Sequence, residues 1–220
     1  MQFADELEKA DDFEAALSTL IRRELAAHRR ILFNGNGYSE EWPPEAARRG
    51  LLNLRSTPEA LIHYTDEKNV ALFARHGVYT RTEIQSRQDI NMEEFAKIIH
   101  IEALTLIDML GKLIVPACAA YSKQLAEGVA AKAGIGVDAP AEAAQVRLLT
   151  EKTAELIERT ERLKAVVAAE PEALNARAMY EHEAVIPAME AARQVADELE
   201  GRVGKEYWPM PSYADLLFYV

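Results

Sequence analysis

Cysteine is nearly missing from this sequence. Cys118 is the single one in 220 residues, so no internal disulfide can staple the fold and packing must hold it together. Its neighbours Val115, Pro116, Ala117 and Ala119 supply no charge to favour a thiolate, which assigns Cys118 to a buried, unreactive position. Alternating β-branched runs are also absent, which argues against any half-buried sheet. No apolar run reaches the ~20 residues that a membrane-spanning helix requires, and no basic segment followed by an apolar one opens the chain. A reducing, cytoplasmic setting with no membrane partner is therefore expected. Positive charge is scarce as well: 25 basic side chains face 36 acidic ones, and the net charge of -11 repels phosphate backbones, so no nucleic-acid partner is expected. The short basic pairs Arg22-Arg23, Arg29-Arg30 and Arg48-Arg49 read as solvated helix faces or ion-pair partners.

Motifs that carry chemistry are missing too. A di-metal centre in a helical bundle needs glutamate three residues before histidine, and none of His28, His63, His76, His100 or His182 meets that test. His100 with Glu102, and His182 between Glu181 and Glu183, read as surface or packing residues rather than ligands. Asn34-Gly35-Asn36-Gly37 lacks the preceding strand, the third spaced glycine and the Gly-Lys-Ser/Thr of phosphate loops. It reads instead as a turn with Asn and Gly in left-handed conformations. No Gly-x-Ser-x-Gly elbow occurs either. No catalytic, cofactor-binding or metal-binding residue is assigned, and no cofactor is expected in this chain.

What is present is helical punctuation. Asp11 with Glu14 predicts a helix over residues 12 to 29, stopped by the Asn34–Gly37 run. Pro43-Pro44 opens a short helix that Gly50 closes; Thr57 caps another with Pro58 at its first position; Asp66 and Gly77 bracket a third. Thr80 and Glu83 form a capping box, after which Phe95, Ile98, Ile101, Leu104 and Ile107 carry helical period to about Leu125, with a kink expected at Pro116 beside Gly111. Ala133 to Pro140 is a turn-rich connection. Val146, Leu149, Leu156, Leu163 and Val166 then mark an apolar stripe to Ala169; Glu170-Pro171 is a break and restart; Pro187 interrupts the last long helix, which runs to Glu200. The expected fold is all-α, with short helices followed by an antiparallel bundle of three long ones and an aromatic C-terminal tail. Tyr207 to Val220 is too apolar to stay in water, and packs back on the bundle or docks on a neighbouring subunit.

The run Ile31-Leu32-Phe33-Asn34-Gly35-Asn36-Gly37-Tyr38-Ser39-Glu40-Glu41-Trp42, followed by Arg49-Gly50-Leu51 and Asn53-Leu54, resembles type III glutamine synthetases. Ser56 to Leu61, Ala71-Leu72-Phe73, His76-Gly77-Val78, Glu83 with Ser86-Arg87, Ile101 to Leu104 and Ile107-Asp108-Met109 continue the likeness in order, and Trp208-Pro209-Met210-Pro211-Ser212-Tyr213 is similar to that family's terminus. The likeness is weakest from Ala126 to Gly204. Leu52 stands where the family pattern has proline, and Gln88 where it has an aromatic.

The resemblance implies a parent enzyme that ligates ammonia to glutamate with ATP and magnesium or manganese in a two-ring assembly. Its catalytic, metal and nucleotide residues lie upstream, and none maps onto this chain. On this reading residues 1–79 are the end of the catalytic domain, a short-helix layer with the Asn34–Trp42 loop as a fold-defining turn. Residues 80–204 are a long-helix extension, and 205–220 an apolar tail. Met1 to Glu8 looks like the middle of a helix joined to a larger catalytic domain. The implied partners are the rest of the subunit and neighbouring subunits. The alternative is a free-standing helical interaction module derived from the same domain.

Overall fold

The computed structural model describes residues 2–211 and 213–217, and no strand occurs among them. The chain divides into two compact units, Met1–Arg55 and Ser56–Val220.

In the first unit, α1 (Gln2–Leu7) and α2 (Phe13–Ala27) are tied by Arg23, whose guanidinium donates to both carboxylate oxygens of Glu6 at 2.8 Å. Helix α2 is capped by Asp12 rather than Asp11: the Asp12 side chain accepts from the Ala15 amide at 3.1 Å, and the helix ends at Ala27 in a single 3-10 turn, Arg29–Ile31. A third helix, α3 (Trp42–Arg48), carries prolines in its first turn and closes at Gly50, whose φ of 70° suits the position after a helix end.

The loop between α2 and α3 departs from the expectation. No residue from Asn34 to Gly37 has positive φ. What Gly35 supplies is space, since a Cβ there would stand 2.4 Å from the tip of the Phe33 ring. That ring lies 4.5 Å from Trp42, and Arg49 sits over both while donating to the Leu32 carbonyl. The glycine is required by an aromatic–cation stack rather than by a left-handed turn.

In the second unit, α4 (Thr57–Leu61) is capped by Ser56, not Thr57: the Ser56 hydroxyl accepts from the Glu59 amide, and the Glu59 carboxylate accepts from the Ser56 amide at 2.9 Å. Helix α5 (Glu67–Arg75) follows between Asp66 and Gly77 as expected. The Thr80–Glu83 capping box starts α6 (Arg81–Met109), which passes through a π-helical segment, Leu110–Ile114, into α7 (Val115–Gly134). The combined rod runs nine residues past the expected end at Leu125.

A turn with Gly136 at φ 78° leads to α8 (Pro140–Ala168). The chain breaks at Glu170-Pro171 and restarts three residues later than expected, as α9 (Leu174–Tyr180). A second π segment, Glu181–Val185, joins it to α10 (Ile186–Glu200), and a last short helix, α11, spans Tyr213–Leu217.

Both π segments end two residues before a proline. The amide of Val115, ahead of Pro116, reaches back five residues to the Leu110 carbonyl, and that of Ile186, ahead of Pro187, reaches the Glu181 carbonyl. A proline ring collides with the carbonyl four residues back and offers no amide to it. Widening the turn by one residue relieves both problems, so each expected kink is realised as a π-bulge.

The short turn after α7 makes α8 its antiparallel neighbour, and α8 also packs against α10. Their core holds Leu110, Ile114, Cys118, Leu149, Leu156, Val195 and Leu199, and Tyr207 and Trp208 of the tail cover its end. Cys118 is fully buried, and burial pushes its thiol pKa up, as expected of an inert cysteine. Two further clusters line α6: Met92, Ala96 and Ala178 with Leu61, and Ala103, Leu163 and Val185. Of the tail, Leu216 and Leu217 are exposed; Ser212 and Phe218 to Val220 lie outside the described residues.

Candidate functional site

Between the two clusters along α6, three titratable side chains meet. His100 comes from α6, Glu170 from the break after α8, and Glu181 from the first position of the second π segment. The break is forced locally: Pro171 disfavours helix at Glu170, which leaves that carboxylate free to turn towards α6. His100 Nδ1 lies 2.6 Å from Glu170 Oε1. One ligand-type atom from each of the three residues lies within 4.8 Å of the others.

The environments differ. The His100 side chain is 38% exposed and that of Glu170 13%, whereas Glu181 is fully buried. Neither carboxyl oxygen of Glu181 has a hydrogen-bond partner. Burial first, and then the adjacent Glu170 carboxylate, push the Glu181 pKa up to about 7, while His100 and Arg177 pull the other way. Arg177 is occupied elsewhere, its Nε donating to the Pro171 carbonyl at 2.9 Å. A cleft of about 150 Å³ lined by Ala96, Lys97, His100, Ile101, Glu170 and Arg177 opens beside the trio.

The partners expected from adjacency in sequence are not the ones that meet. Glu102 and Glu183 are exposed and His182 is half-buried, and none of them joins the cluster. Histidine and glutamates brought together from positions 100, 170 and 181 have no spacing to betray them. The one available signal was the glutamate placed before Pro171, where a helix has to break.

In the first unit, the pairs Arg29-Arg30 and Arg48-Arg49 come together around Leu32, Phe33, Asn34 and Gly35 in an open cleft. Hydrogen bonds from Arg48, then from Arg49, hold the Glu45 carboxyl down to about 2. The Asn36 side chain accepts from the Tyr38 amide at 3.0 Å, and the Tyr38 side chain stands entirely in solvent. No described helix is long and apolar enough to cross a membrane.

These features define an all-helical module that pairs a short-helix unit, with little core of its own, with a bundle of long helices. Residues 16–133 match the model of the glutamine synthetase C-terminal domain, and the chain belongs to that family. It is 35% identical to the type-3 glutamine synthetase of Dictyostelium discoideum, the match covering 96% of this chain and 30% of that protein. Against the glutamine synthetase of Butyrivibrio fibrisolvens it is 34% identical over 94% of this chain and 30% of the relative, and against that of Bacteroides fragilis 32% identical over 93% and 29%. The chain thus spans under a third of the length of the curated relatives it matches.

Proposed function

We propose that this chain is the C-terminal, non-catalytic portion of a type III glutamine synthetase, completing the fold of the rest of the subunit and supplying contacts to neighbouring subunits. In this reading the parent ligates ammonia to glutamate, and its ATP and magnesium or manganese are held by polypeptide outside this chain. One observation carries the proposal beyond the family match. In the first unit, Phe13, Ile21 and Leu25 of α2 are 56%, 50% and 52% exposed, and with Leu17 they fall four residues apart along one ridge. Only Leu20 and Ala46 are buried among the described residues of that unit. A ridge of large apolar side chains over so thin a core is the half of an interface that the remaining subunit completes.

The test is direct. The purified chain, given glutamate, ammonia, ATP and either metal, forms no glutamine above the blank. Placed in the full-length enzyme, Phe13→Ser with Ile21→Ser lowers assembly and activity together. Metal-dependent glutamine formation by the isolated chain, or a fully assembled and active double variant, would overturn the reading.

A further inference from the structure

Among the described residues, Glu181 is the one acidic side chain wholly withdrawn from solvent, and both its oxygens are without a donor. An ionised carboxylate in that position needs a counter-charge. The basic groups lining the cleft do not supply it by contact: Arg177 Nε is bound to the Pro171 carbonyl, and Lys97 is paired with Glu93 at 2.6 Å. Glu181 instead faces a second carboxylate and an imidazole, with one donor atom from each of the three inside a 4.8 Å span.

We propose that His100, Glu170 and Glu181 form a binding site for one divalent cation of zinc-like chemistry. Zinc accepts imidazole nitrogen and carboxylate oxygen at about 2.0–2.2 Å, which sets ligand atoms about 3–3.5 Å apart around it. Small side-chain movements suffice: the 2.6 Å His100–Glu170 contact opens slightly and Glu181 closes in. Two carboxylates balance the charge of the ion. The imidazole favours zinc and its transition-metal neighbours over magnesium or calcium, which prefer all-oxygen shells. Three protein ligands leave a position for water, and the cleft beside His100 gives ion and water a way in. Because the ligands come from α6, from the break after α8 and from the second π segment, the bound ion cross-links three stretches distant in sequence. Binding is therefore coupled to folding. The inference rests on this cluster alone and stands independently of the assembly role proposed above.

The experiment uses the full chain, stripped with a chelator and titrated with zinc chloride by calorimetry and thermal melting. One equivalent binds, and the melting temperature rises until that equivalent is filled. His100→Ala and Glu181→Gln each weaken binding at least tenfold, while Glu102→Gln and His182→Ala, which alter neighbours outside the cluster, leave it unchanged. Glu181→Gln removes a buried charge and keeps the shape, so its metal-free form melts no lower than the parent, which separates lost binding from lost folding. Absence of saturable zinc binding overturns the site. So does zinc binding of equal affinity in the parent and Glu181→Gln, which marks adventitious binding at surface carboxylates.

Discussion

At the scale of single residues, burial decides which polar groups matter. In metal-free protein the folded-state pKa of Glu181, about 7, exceeds its ordinary value of 4.5. Between those values the folded chain holds a proton that the unfolded chain has released. Stability therefore falls as pH rises through that window and levels off above it. With Glu170, His100 and Arg177 unchanged around it, Glu181→Gln should match the parent near pH 5. At pH 8 it should be more stable by on the order of 1–2 kcal/mol, read from denaturant melts in the presence of chelator. Equal stability of the two proteins at pH 8 would contradict this.

Gln88 supplies a second case, at a position where the sequence resemblance leads us to expect an aromatic. It is 4% exposed, and its Oε1 lacks a partner. Gln88→Met removes the stranded oxygen at similar volume and should stabilise by about 1 kcal/mol, measured the same way. That residue was legible as an oddity in the sequence. The Glu181 cluster was not, because its members meet only through the packing of α6 against the segment around α9.

At the scale of elements, local chemistry was the readable part. Asp66, Thr80, Gly50 and Gly77 sit at the helix ends their residue types announce. The misplacements have local causes: adjacent candidates compete, and Asp12 and Ser56 win over Asp11 and Thr57 because their side chains reach the third amide onward. Thr80 closes its box with Glu83 on both sides, its hydroxyl accepting from the Glu83 amide at 3.3 Å and its own amide donating to the Glu83 carboxylate at 2.7 Å. Thr80→Ala should cost about 1 kcal/mol, and Thr80→Ser much less. A variant pair with identical unfolding midpoints would show the cap to be idle. Less readable was how a rod of helix answers an internal proline, since sequence gives the obstruction but neighbouring packing selects a bulge over a bend.

At the scale of the whole molecule, the two units differ in how much they bury. Helix α8 sets Leu149, Leu156 and Leu163 wholly inside the bundle, while α2 contributes Leu20 alone. Backbone amides of α2 should therefore exchange with deuterium orders of magnitude faster than those of α8 in the isolated chain, and slow markedly when the chain is part of a full-length subunit. Comparable protection of α2 in both settings would mean that its apolar ridge meets nothing. The all-α class and the order of long helices followed from periodicity and punctuation. The thinness of the first core did not, because the same stripe of leucine and isoleucine describes a helix buried at home and one awaiting a neighbour.

The two π-bulges carry one more consequence. Each inserts a residue beyond regular winding, and a residue is worth about 100° of rotation. The side chains before Leu110 and those after Ile114 are thus set to different angular phases, so one continuous rod can present its apolar edge to α9 at one end and to α8 at the other. Deleting a single residue inside a bulge would leave the downstream half in place, whereas forcing either bulge into regular α-helical winding with every residue kept would swing that half by nearly a third of a circle. Cys118 or Val195 would leave the interior while every neighbouring residue kept its identity.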